Sequence, residues 1–209
     1  MKREFLFVLL AVAMFVCSCT EPSPEGPVPD DDTEVPVEAK YKAGEYYKQG
    51  LAEGIIAYVD ESGEHGLLIS LDEGYEQWST DYIMLIVHGG EFSRENGARN
   101  TEYIKSQENW EELYPAVVWC DNKNALGLSS WYLPAPAELA NAALNIEAIN
   151  ATLVEKGCEP IAMGVNDAYW SSEEFGVQGA YSISFATGDF ADYGHDKKAY
   201  NRVRAMRKF

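Results

Sequence analysis

Basic residues are scarce in this chain of 209 residues: 16 Lys and Arg stand against 34 Asp and Glu, for a formal net charge of −18. A body that acidic is repelled by phosphate backbones and by anionic membrane surfaces, which excludes general nucleic-acid binding. Cysteine is scarce as well, and four of them are too few for a disulfide-dense scaffold. His65, His88 and His195 lie far apart, and neither His-x-x-x-His nor Cys-x-x-Cys occurs, so zinc is not expected. No glycine-rich phosphate loop, Gly-x-Ser-x-Gly elbow or spaced carboxylate pair stands out. The expectation is a protein without catalysis, cofactor or metal.

Long apolar runs are lacking too. The one at Phe5–Val16 reaches about 18 Å as a helix, short of the ~30 Å hydrocarbon core of a bilayer. It follows Lys2 and Arg3 and reads as the apolar region of a secretory signal. The next residues, Val16-Cys17-Ser18-Cys19, are similar to a bacterial lipobox. That likeness implies a lipoprotein signal peptide at 1–18, cleavage before Cys19 and diacylglycerol on its sulfur. More than one acyl chain gives stable anchoring, so the expected location is the cell envelope, at the outer membrane. The only membrane contact expected is this lipid anchor.

Residues 19–40 read as the lipidated cysteine plus a tether. Pro22, Pro24, Pro27, Pro29 and Pro36 interrupt any ladder of hydrogen bonds, and Asp30, Asp31 and Asp32 add solvated charge. Residues 41–209 carry every tryptophan and form one domain, large enough to bury roughly 70% of its unfolded surface.

Gly54–Val59 and Leu67–Leu71 are β-prone runs joined by turn chemistry, which predicts a hairpin. Tyr82–Val87 reads as a further buried strand. Asn100 or Thr101 can cap a helix to Gln107, and Pro115 can open another through Cys120. Apolar residues at three- and four-residue steps predict one long helix over Pro136–Lys156, closed by Gly157. Strands are expected over Ala168–Glu173, Ala180–Ala186 and Val203–Phe209, with a polar aromatic loop at Thr187–Asn201. Strands, then helices, then strands describe an α+β domain.

Trp131-Tyr-Leu-Pro-Ala-Pro-Ala-Glu-Leu139, Tyr169-Trp-Ser-Ser172, Gly188 and Val203-Arg-Ala-Met-Arg-Lys-Phe209 follow one another in an order that resembles bacterial C-type-lectin-like domains. These are of the formylglycine-generating-enzyme and retroelement-diversified variable-protein types. The resemblance spans about 41–209. It implies a C-type-lectin-like fold: small twisted antiparallel sheets, two flanking helices, and paired N- and C-terminal strands. It also implies structural roles for Glu138, Arg204 and Arg207, with Glu138 forking onto Arg204. Ala135 replaces the Ser or Thr usual after Leu-Pro, so no hydroxyl caps the helix there.

Oxidase members of that group work through cysteines near the C-terminus, and none follows Cys158 here. Cys120 and Cys158 either pair as a structural disulfide or stay free. The calcium–sugar motifs of animal lectins are not reproduced: Glu159-Pro160-Ile161 and Val165-Asn166-Asp167 stand in their place. Asp189, Asp192 and Asp196 read as solvated loop charges. The resemblance places a ligand-facing patch in the C-terminal segment, with Trp170, Ser172, Glu174, Tyr181, Asp189, Tyr193, Tyr200 and Asn201 as candidates; Trp170 has a core role as its alternative. The function expected is a lipid-anchored envelope protein presenting this face to an extracellular protein or glycan. The alternatives are a structural or tip subunit of a fimbria-like surface assembly and an oxidoreductase of the formylglycine-generating kind.

Overall fold

The structure, a computed structural model, describes residues 39–85, 92–127, 130–186 and 193–209, the side chains of 125–127 and 193 excepted. Cys19, the signal and tether stretches up to 38, and Asp189 lie outside the described residues.

The two apolar runs near the N-terminal end build the first sheet. β1 (Tyr46–Gln49), β2 (Ala52–Val59) and β3 (Gly66–Ile69) pair as an antiparallel meander, so the expected hairpin forms. The last strand of the chain, which we number β9 (Met206–Lys208), pairs with β3 and places Leu68 opposite Arg207. The runs are apolar at successive positions because both faces of this sheet are covered. Ile56 and Leu68 pack with Trp78, Ile104, Val117 and Cys120 on one side. Ile55, Ala57 and Ile69 pack with Leu139, Ile149, Leu153 and Met206 on the other. Full burial of such an aliphatic side chain contributes about 1.5–3 kcal/mol.

The second sheet has the order β4 (Gly74–Gln77), β8 (Tyr200–Val203), β5 (Tyr169–Phe175), β6 (Gly179–Ile183), β7 (Tyr193–Asp196). Its pairs are antiparallel except β5 with β8, which run parallel and meet at Tyr169 and Arg202. The molecule is therefore mixed α+β. N- and C-terminal strands share one sheet but occupy its opposite edges, β9 lying on β3 rather than on β1.

Five α-helices, rather than two, lie among the described residues. α1 (Gly97–Lys105) starts earlier than the sequence suggests, because the Asn96 side chain accepts from Arg99 N at 3.1 Å. α2 (Trp110–Leu113) leads into α3 (Pro115–Asp121), which opens on its proline as expected. The long helix is broken into α4 (Pro136–Ala143) and α5 (Ile146–Glu155). Asn145 causes the break: its amide donates to Asn141 O and to Ala57 O on β2, each at 3.2 Å, competing with the helical ladder. The apolar stripe survives at Leu139, Ile146, Ile149 and Leu153, which are buried, while the buried alanine is Ala142 and the expected Ala143 is half-buried. Gly157, at φ +72°, ends α5: Cys158 N donates to Leu153 O at 2.9 Å and Gly157 N to Val154 O at 3.0 Å.

Other expectations are corrected. Residues 82–85 form no strand. Their backbone is spent on side chains instead, Leu85 N on the Glu174 carboxylate, Ile83 O on Lys197 Nζ and Leu85 O on Tyr103 Oη. The C-terminal strand divides into β8 and β9, with Arg204 and Ala205 crossing from one sheet to the other. The segment expected as a loop up to Asn201 contains β7 and the start of β8.

Glu138 and Arg204 are both buried but do not pair. Glu138 accepts from Tyr132 Oη at 2.8 Å, Ala135 N at 2.8 Å and Gly97 N at 3.1 Å. From the third helical position it thus takes the N–H of Ala135, one half of a capping box, while the Ala137 N–H that a capping hydroxyl could serve is taken by Arg94 O at 2.9 Å. Arg204 instead donates to Ser70 O at 2.9 Å, Leu71 O at 3.0 Å and Glu73 at 3.3 Å. Its position in the sheet crossing turns it toward the start of β4, away from α4. Arg207 is half-buried and lies over the Trp131 ring at 5.8 Å. Cys120 and Cys158 are free. They belong to the two opposite apolar clusters flanking the first sheet, which separates them. Burial pushes the Cys120 thiol well above its ordinary range.

Candidate ligand-facing surface

Three of the sequence-predicted ligand residues are core. Trp170 is fully buried and donates its indole N–H to Glu76 O at 2.9 Å, tying β5 toward β4. Ser172 accepts from the Asn100 amide at 2.9 Å and donates its N–H to Pro134 O at 2.7 Å. Glu174 is an ion-pair partner of Lys197, with neither side chain exposed. Lys197 also donates to Ile83 O at 2.7 Å and sits 4.9 Å from the Trp78 ring. Burial lowers the Lys197 ammonium from its ordinary value against the opposing pull of Glu174. Beside them Tyr114 is pushed up to about 12, chiefly by burial and then by Glu174.

Residues of the set that do reach the surface are Tyr181, Tyr200 and Asn201. Asp189 and the side chain of Tyr193 lie outside the described residues, although the Tyr193 backbone forms the start of β7 opposite Ser182. Tyr200 is 53% exposed and stacks on Tyr75, itself 64% exposed, with ring centroids 5.8 Å apart and planes 26° from parallel. The register explains the pair: Tyr200 faces Gln77 and Tyr75 faces Arg202, so the two rings meet diagonally across β4 and β8. Gln77 donates to Lys198 O at 2.7 Å and holds the turn before β8. Arg202 reaches Asp167 at 3.0 Å and is ion-paired to Glu73, which raises its guanidinium still further. Asn201 is half-buried opposite Glu76, and its amide nitrogen has no hydrogen-bond partner among the described residues.

At the far end of the same sheet Tyr181 packs edge-on against Phe175 at 5.0 Å, and the Arg94 guanidinium lies 4.9 Å from its ring. Phe175 is 52% exposed and lies close over Gly194 of β7. Tyrosine and arginine in such positions give wide contact area at low entropic cost. Tyr75, Phe175 and Arg94 were not legible as surface partners, because strand register brings Tyr75 and Phe175, and the irregular segment before α1 brings Arg94, beside Tyr200 and Tyr181. Among the described residues no three His, Cys, Asp or Glu side chains gather into a metal-holding cluster.

No family model and no curated protein matches the sequence. Among solved structures the chain is similar to a fimbrial protein from Bacteroides ovatus ATCC 8483, with a TM-score of 0.50 and 18% identity. The match covers 69% of this chain and 36% of the other, so the chain spans little more than a third of that protein's length. The likeness is one of fold: a mixed α+β domain similar to part of a fimbrial protein.

Proposed function

We propose that this chain is an exported, lipid-anchored surface protein whose folded domain serves in a fimbria-type assembly at the cell envelope, presenting its second sheet to an extracellular protein or glycan. The observation that carries this reading is the fold match to a fimbrial protein over 69% of the chain. The signal-like segment before Cys19 supports export, and the open tyrosine-bearing sheet supports binding. In this reading the domain is of the C-type-lectin-like kind, consistent with its small sheets and with the buried Glu138 of its Trp131–Leu139 segment. It works by binding rather than by thiol chemistry, in keeping with Cys120 and Cys158 lying in separate clusters.

The test is gentle solubilisation of envelopes from cells carrying the tagged full chain, followed by native sizing. Recovery in large complexes, lost on Cys19→Ala, supports the proposal. A chain that is released as a monomer and carries no lipid overturns it.

A further inference from the structure

A concavity lies beside the turn between β2 and β3, where α4 and the end of β9 approach it. It encloses about 700 Å³, within the size range of small-molecule sites. Its apolar lining comes from Tyr58, Leu67 and Phe209, and its charged and polar lining from Asp60, His65, Glu95, Glu138, Asn141 and Lys208; the Asp60 carboxylate is already taken by Ser62 N and Oγ.

An unpaired lysine and an unpaired carboxylate line this cleft together. In the cleft beside Leu71 and Pro160 the one basic side chain of the lining is already consumed, since Arg202 holds Glu73 and Asp167, and only the Glu159 carboxylate stays unpaired among the described residues. Most other lysines and arginines of this acidic domain are ion-paired as well, as in Lys48–Glu53, Lys105–Asp121 and Lys198–Asp81. Lys208 is not. It lies near enough to Glu138 to pull that carboxyl downward electrostatically, yet it makes no ion pair or hydrogen bond with any described residue. Glu95 lines the same cleft, and neither its carboxylate nor the Asn141 side-chain amide has a partner among the described residues. Glu138 has no acceptor to spare, since Tyr132, Ala135 and Gly97 occupy it.

With Asp60 and Glu138 engaged, Lys208 and Glu95 are the unpaired lysine and carboxylate of a cleft that also has an apolar wall, and together they are complementary to a ligand that carries both charges. We propose that this cleft binds a zwitterionic apolar amino acid or dipeptide, its carboxylate on Lys208, its ammonium on Glu95, and its side chain among Tyr58, Leu67 and Phe209. Asn141, both donor and acceptor, takes the remaining polar atoms. Recognition of free peptide termini by fixed polar groups is a recurring binding mode. The site is separate from the tyrosine-bearing sheet, and it stands whether or not the chain enters an assembly.

Calorimetry and saturation-transfer NMR on the full mature chain test this with four probes: L-phenylalanine, leucyl-phenylalanine, N-acetyl-phenylalanine and phenylalanine amide. The zwitterions are expected to bind, with each charge-deleted probe weaker by about tenfold or more, the equivalent of one charge-assisted hydrogen bond. Lys208→Met should erase the preference for the free carboxylate alone, and Glu95→Gln the preference for the free amine alone. Both side chains are exposed, so the variants keep the parent melting temperature. Absence of binding by either zwitterion, equal binding of the charge-deleted probes, or preferences that survive both substitutions overturns the assignment.

Discussion

Lys197 and Glu174 form an ion pair from which solvent is wholly excluded. Through Ile83 O and Leu85 N the pair also fixes the segment that follows β4 against β5. Removing one partner leaves the other charged and buried, at a cost of about 3–5 kcal/mol. Lys197→Met should therefore lower unfolding free energy by that amount in urea titrations. Lys197→Met/Glu174→Leu should regain much of it, because no orphan charge remains. A single variant as stable as the parent contradicts the pairing.

Glu138 gives a pH signature. Burial raises its carboxyl above the ordinary value despite three donors that pull it down. The folded state thus holds that proton more readily than the unfolded chain does. Its contribution is complete below the unfolded value, about 4.3, and is lost as pH rises through the higher folded value. The stability of the parent minus that of Glu138→Gln should be largest in acid and shrink toward neutrality. Paired urea titrations across that range measure it, and a difference that grows with pH counts against the burial.

Gly97 guards the same latch. A Cβ there would come within 2.6 Å of Ala135 N, Glu138 Oε2 and Leu133 O. Gly97→Ala should cost about 1–3 kcal/mol by overpacking, despite alanine's better helix propensity. Thermal melts of the variant decide this, and unchanged stability would place Glu138 elsewhere.

Thiol accessibility separates Cys120 from Cys158. The first is buried with its thiol pushed up, and the second is partly exposed at the end of α5. Alkylation followed by peptide mass spectrometry should label Cys158 in the native chain and Cys120 only after unfolding. A peptide linking Cys120 to Cys158 without reductant would contradict their separation.

The stacked pair Tyr75 and Tyr200 is spent on the surface rather than on the core. Tyr75→Ala/Tyr200→Ala should change stability by less than about 1 kcal/mol, the scale of a cross-strand pair. The same variant should release the chain from its envelope complexes on native sizing. Undiminished complex size would move the binding face away from β4 and β8.

Much of the fold is legible along the chain. Short β-prone apolar runs and turn residues mark β2 and β3, proline opens α3, and Gly157 closes α5. Long-range choices were not visible. Arg204 finds Glu73 because the chain crosses between sheets at that residue, a fact of topology rather than of spacing. Asn145 splits a regular apolar stripe by reaching Ala57 O on a strand distant in sequence. The site suffered from the same blindness. Trp170, Ser172 and Glu174 carry polar atoms suited to a ligand, but these are satisfied by Glu76, Asn100 and Lys197. Tyr200 was legible as exposed, whereas its neighbour Tyr75 depends on the register of β4 against β8.

The most direct test of the proposed role is immunogold electron microscopy of intact cells, using antibody raised against the folded domain. Gold along or at the tips of surface filaments is the expected result, lost in cells that carry Cys19→Ala. Gold absent from the intact surface and found only after the cells are opened contradicts it.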